Sequence, residues 1–145
     1  MTTQMETVAK LMADLDLCTL VTRKGDALAG RPMSTNGQVD YDGDSYFFTW
    51  ADAGMTGDIS ADPRVALTFQ RAPGLVNGPP LFIHVQGRAR VQRDKTAFAA
   101  HWSEELARWF KQGVDTPGLV MLHVQATRIA YWNGEEEADF AVPGT

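Results

Sequence analysis

A chain of 145 residues has room for one domain with a real core. Its content, 44% hydrophobic and 21% charged, is that of a globular protein and not of a disordered or fibrous one. A net charge of −5, with no run of Lys and Arg, argues against a nucleic-acid partner held by its phosphates. The lone Cys18 excludes an internal disulfide, and its place between Leu17 and Thr19 in an apolar stretch reads as a buried, inert thiol. Residues 1–12 carry no charged-then-apolar signal pattern, and no apolar run is long enough to cross a membrane. A cytoplasmic protein with no membrane partner is therefore expected.

The first element predicted is a helix over about 4–15. Thr3 and Glu6 have capping-box spacing, and Val8, Leu11, Met12 and Leu15 recur on one helical face. Three strands follow, over 17–23, 27–39 and 44–50. Their joints, Lys24-Gly25-Asp26 and residues 40–44, are of the Gly/Asp type that closes hairpins. Pro32 lies inside the second of these strands. A proline cannot donate to a ladder, so that strand must run along an edge or bulge there. In the third, Tyr46, Phe48 and Trp50 share one face, with Phe47 and Thr49 on the other. Residues 51–62 read as a short helix stopped before Pro63, and 64–71 as a half-buried strand.

Residues 72–80 hold three prolines and two glycines and form a loop. The clearest strand is 81–93, where Leu81, Ile83, Val85, Ala89 and Val91 alternate with His84, Gln86, Arg88 and Arg90. Gly87 within it predicts a bulge or a close backbone approach. Asp94 caps a helix expected to run to about Phe110, with Phe98, Trp102, Leu106 and Trp109 at helical spacing. A last long strand pair or bent strand covers 119–132, and 134–145 reads as a frayed tail. The sum is a single α+β domain dominated by strands: a barrel over about 17–133, with six mostly antiparallel strands and flanking helices.

Few residues announce chemistry. His84, His101 and His123 have no metal-ligand spacing, and His84 with His123 reads as a surface pair. No nucleophile elbow, phosphate loop or dinucleotide fingerprint is present. Asp14, Asp16, Asp40, Asp42 and Asp44 occupy helix-end and turn positions where Asp serves the backbone. Arg31, fixed beside Pro32 and flanked by Met33, Ser34 and Thr35, suits an anionic ligand, although a structural ion pair explains it equally well. The rings of Tyr46, Phe48, Trp50, Trp102, Trp109, Phe110, Tyr131 and Trp132 offer a wall for a planar ligand, or simply core and dimer interface.

Segments in a fixed order carry a resemblance. They are Leu20-Val21-Thr22, Arg31-Pro32-Met33, Phe47-Phe48-Thr49-Trp50, Asp58-Ile59-x-x-Asp62-Pro63-Arg64-Val65 and Val85-Gln86-Gly87-Arg88-Ala89. Trp109-Phe110-x-x-Gly113, Asp115-x-Pro117 and Ala130-Tyr131-Trp132 complete the set. Over roughly 8–132 the chain resembles the pyridoxamine 5′-phosphate oxidase-like split-barrel superfamily, and within it the small FMN-binding general stress proteins.

The resemblance implies a six-stranded antiparallel split barrel forming a homodimer, with FMN held in clefts between subunits. It implies that Arg31 meets the phosphate or ribityl chain, and that the backbone of Pro32, Met33 and Ser34 lines the isoalloxazine edge. Phe48, Thr49 and Trp50 would form the next wall, and the helix start at Gly54, Met55 and Thr56 would face the phosphate. Two positions depart from the pattern. Met55 stands where members commonly carry Lys, and Gly54 where the wider oxidases carry Arg. Losing that Lys removes a charge-assisted bond of roughly 1.5–3 kcal/mol, so the phosphate site is weakened and another flavin, FAD or a deazaflavin, stays open. Phe82 replaces the glutamine of the vitamin-processing oxidases, which steers away from oxidation of pyridoxamine phosphate. Three readings follow: a flavin-dependent oxidoreductase acting on a small substrate with a nicotinamide donor, a non-catalytic flavin or small-molecule module of stress response, or a degenerate cleft. No catalytic residue and no metal ligand is named.

Overall fold

A computed structural model describes residues 3–35 and 40–144. It opens with helix α1, Gln4–Met12, whose first turn is capped by Thr3: the Oγ1 accepts from the Glu6 N–H at 3.1 Å. Seven strands make one sheet: β1 Leu17–Lys24, β2 Ala27–Ser34, β3 Asp44–Trp50, β4 Arg64–Arg71, β5 Leu81–Gln92, β6 Leu119–Asn133 and β7 Glu136–Ala141. Helix α2, Gly54–Ala61, lies between β3 and β4, and α3, Lys95–His101, follows β5.

All pairings are antiparallel, in the order β2-β1-β4-β5-β6-β3, with β7 beside the second half of β6. The sheet is not closed by a ladder between its ends. Its two ends are β2 and β3, so Pro32 sits on an edge strand, where its missing N–H breaks no internal pairing. The expectation over 36–39 lies outside the described residues; β2 ends at Ser34, and the Thr35 N–H donates to Asp16 O at 2.8 Å.

Alternation on β5 drives the core. Leu81, Ile83, Val85 and Ala89 are buried against Leu20, Leu67 and Phe69 from β1 and β4, while Gln86, Arg88 and Arg90 stay exposed. Gly87 is a close-approach site, and the register of β5 on β6 slips between Gln86 and Gly87. A Cβ there would fall 2.6 Å from the Gln125 carbonyl oxygen, so only glycine fits.

Two expectations need correction. The tail does not fray: the chain turns at Gly134 (φ 63) and returns as β7, with Phe140 and Val142 buried in the main core. This brings the strand count to seven rather than six. The acidic run Glu135-Glu136-Glu137 is exposed and conceals the apolar anchors that follow it. Nor is 94–110 one helix. Asp94 caps α3 as expected, but the chain leaves helical geometry at Trp102 and restarts as a 3-10 segment, Glu104–Arg108, beneath Ser103. The Ser103 Oγ accepts from the Glu105 N–H and sets the new start.

Candidate functional site

The two faces of β3 bury into different places. Phe47 joins the main core inside the barrel. Phe48 joins a second cluster with Phe98, Leu106, Phe110, Leu119 and Met121, beneath the stretch running from α3 to the 3-10 segment. Phe48 meets Phe98 and Trp102 edge-on at centroid distances of 5.9 and 5.2 Å, and Trp50 meets Phe110 at 4.9 Å. The stretch over 95–115 is therefore a cover laid on β3 through rings.

Beneath its edge lies a cavity of about 430 Å³, within the range of small-ligand sites. It opens where the two ends of the sheet approach without pairing. From β2 come Pro32, Met33 and Ser34; from β3 come Phe47, Phe48, Thr49 and Trp50. Met55 at the start of α2, Leu17 of β1, and Leu106, Trp109 and Phe110 of the cover complete it. Trp50, Trp109 and Leu17 are exposed around it. No Lys, Arg or His is among the lining residues.

Seven of the ten residues named from sequence thus share one cavity: Pro32, Met33, Ser34, Phe48, Thr49, Trp50 and Met55. Arg31, Gly54 and Thr56 do not line it. The Thr56 side chain is buried, its hydroxyl donating to the Trp50 carbonyl at 2.7 Å, and thereby ties α2 to β3. Gly54 faces open space. The helix start itself has no side-chain cap at Ala53, so its first N–H groups are left without a side-chain acceptor. Sequence reasoning missed Leu17, Phe47 and Leu106 as lining residues. Trp109 and Phe110 stood out among the rings that could form a ligand wall or simply core, but were not named with the site residues, because the end of helical geometry at Trp102 that turns them toward β3 has no strong sequence signal.

Arg31 turns away from the cavity. Its Nη1 donates to the Thr22 hydroxyl at 3.0 Å and to the Leu20 carbonyl at 3.3 Å, and its Nη2 lies 3.6 Å from Asp58 Oδ2. Thr22 in turn donates to the same Asp58 oxygen at 2.9 Å. The structural ion pair that the sequence allowed for this arginine is present.

The histidines do not form the expected pair. His84 stands opposite Thr68 and Ala130 in the sheet. His123 stacks on Tyr46 at 4.8 Å, and His101 stacks on Tyr46 at 3.5 Å. The His123 Nδ1 accepts from Arg90, which can only donate, so its Nε2–H donates to Asp44, each at 2.9 Å. Burial, and then the nearby His123, lower the pKa of His101, against the pull of Asp44 and Asp42. Tyr46 is raised, by burial first and then by Asp44 and Asp42, with Arg90 opposing. No group of three His, Cys, Asp or Glu side chains with metal-binding geometry occurs among the described residues. No helix among them is long and apolar enough to cross a membrane.

A family profile described as pyridoxamine 5′-phosphate oxidase like matches residues 3–142. The chain belongs to that family. Solved structures similar to it include a Clostridium acetobutylicum protein related to general stress protein 26, at TM-score 0.78 and 12% identity, covering 95% of this chain and 94% of that one. General stress protein 26 from Bacillus anthracis matches at TM-score 0.73 and 20% identity, over 94% and 98%. A heme-binding protein from Mycobacterium smegmatis matches at 0.72 and 16%, over 97% of this chain and 59% of that one. At these identities the structural likeness speaks for the fold alone, which is the β-dominated split barrel. No curated protein matches the chain in sequence.

Proposed function

We propose that this pyridoxamine 5′-phosphate oxidase-like protein binds a flavin, of which FMN is the first candidate, in the cavity at the open seam of its sheet. The observation that carries the reading is the cavity itself. It is largely apolar, about 430 Å³ in volume, and lined by Trp50, Trp109 and Phe110 together with the edge-strand segment Pro32–Ser34. Aromatic faces suit a tricyclic ring, and an edge strand offers main-chain groups that no ladder uses. The ring part of a flavin fits these residues. Its phosphate finds no cationic side chain in the lining, and the uncapped start of α2 at Met55 is the feature there that favours an anion. A bound flavin would supply electron transfer; Trp50 and Trp109 would hold the ring flat, and the cover would exclude water. In this reading the protein is a cytoplasmic homodimer with the seam at the interface, supported by the exposed Leu17, Trp50 and Trp109 around the cavity.

The test is a titration of purified protein with FMN, following flavin fluorescence, with Trp109→Ala alongside. Quenching that saturates, and an affinity at least about tenfold weaker in Trp109→Ala, are the expected results. Reduction of the bound flavin by NAD(P)H separates an oxidoreductase from a flavin-holding module. Because no charged side chain lines the cavity, the second reading, a non-catalytic module for planar apolar molecules, has its own observation. A porphyrin, the class of ligand named for the Mycobacterium smegmatis neighbour, is the control ligand for it. Uptake of porphyrin but not of flavin would replace the first reading with the second.

A further inference from the structure

We infer that the cavity selects its ligand by the planar ring and is indifferent to a terminal phosphate, so that unphosphorylated flavin binds as well as FMN. The inference rests on the flavin reading above and specifies the ligand chemistry of the same site. Three observations carry it. First, none of the lining residues that this chain supplies is cationic, and the residues outside the described set, 1, 2, 36–39 and 145, include no Lys, Arg or His. Second, the cations adjacent in sequence to the lining do not enter it: Arg108 and Lys111, on either side of Trp109 and Phe110, are exposed on the cover, and Arg31 is already engaged. Arg31 is held by Thr22, the Leu20 carbonyl and Asp58, and the Asp58 carboxylate balances its charge at 3.6 Å. Third, this network is itself largely closed: Thr22 is fully buried, and it accepts from Arg31 while donating to Asp58.

Asp58 therefore acts as an internal substitute for the anion that Arg31 would otherwise meet. Releasing the arginine to a phosphate would leave Asp58 part-buried opposite an emptied position, which opposes the exchange. What remains for a phosphate is the uncapped start of α2, worth at most about fivefold in affinity for an eight-residue helix open to solvent, and the solvated Arg108 and Lys111, whose attraction is screened. A built cationic site would give about ten- to a hundredfold.

The experiment compares riboflavin with FMN on the full chain, at low and high salt, by the same fluorescence titration. The expected result is two affinities within about fivefold of each other and little dependence of either on salt. Two variants bracket it. Asp58→Asn, which frees Arg31, and Met55→Lys, which puts a cation on the lining without touching the Arg31 network, should each favour FMN over riboflavin by about tenfold. Met55→Lys also decides the matter if Asp58→Asn does not fold. FMN binding tenfold or more tighter than riboflavin in the unmodified chain overturns the inference and leaves the flavin reading standing. A Met55→Lys variant that gains nothing for FMN also overturns it, because the phosphate would then lie elsewhere. Failure to take up either flavin overturns the flavin reading, and this inference with it.

Discussion

His101 ends α3 and lies flat on Tyr46 at 3.5 Å, and His123 stacks on the same ring at 4.8 Å. Its pKa is lowered by burial and by His123, so the folded chain resists a proton that the unfolded chain takes up as pH falls through about 6.5. Stability carried by this group is present above that pH and is lost below it. Chemical denaturation between pH 7.5 and 5.5, values of about one unit on either side of the ordinary histidine pKa, should show the midpoint falling on the acid side. His101→Gln should flatten that fall. An unchanged pH dependence in His101→Gln would assign it to other groups. Cys18 is the opposite case: burial pushes its thiol up to about 12, in keeping with the inert thiol its sequence setting suggested.

At the scale of the element, two substitutions separate what the sequence revealed from what it concealed. Gly87→Ala places a methyl group 2.6 Å from the Gln125 carbonyl oxygen, a backbone atom that cannot swing aside. A loss of about 1–3 kcal/mol is expected, read as a lower urea midpoint with unchanged slope. That position was legible, because a glycine in a strongly alternating strand has few other reasons to be there. Phe140→Ala in β7 should cost about 3 kcal/mol, whereas a frayed tail would lose nothing. The burial that anchors β7 was hidden by three glutamates that face solvent, although the hairpin signal Asn133-Gly134 was present. The break between α3 and the following 3-10 segment was hidden for a related reason. Phe98, Trp102, Leu106 and Trp109 keep helical spacing in the sequence, yet the Ser103 cap restarts the chain between them. The ion pair between Arg31 and Asp58 could not be read at all, since it depends on α2 folding back over β1.

Across the whole molecule, the barrel and its cover have different kinds of support. The barrel is laced by ladders on β1, β4, β5 and β6. The cover over 95–115 holds one short helix and two short 3-10 segments, Glu104–Arg108 and Gly113–Asp115; rings join it to β3, and the exposed Lys95–Asp115 pair at 2.9 Å ties only its own two ends together. Amides of that stretch should therefore exchange with deuterium well before those of β4 and β5, by opening locally without unfolding of the sheet. Equal protection in both regions would mean that the two clusters melt as one unit.

Phe47 and Phe48 are adjacent, yet they serve different masters: one locks the barrel, the other receives the cover. That division makes the cover an exchangeable cassette. Residues after Asp94 and before Leu119 can vary, lengthen or be grafted from a relative without disturbing the inward side chains on which the sheet depends, provided the graft presents an apolar group to Phe48. The cover's share of the cavity wall, Leu106, Trp109 and Phe110, can then change while the share carried by the sheet and α2, and the architecture it belongs to, stays fixed.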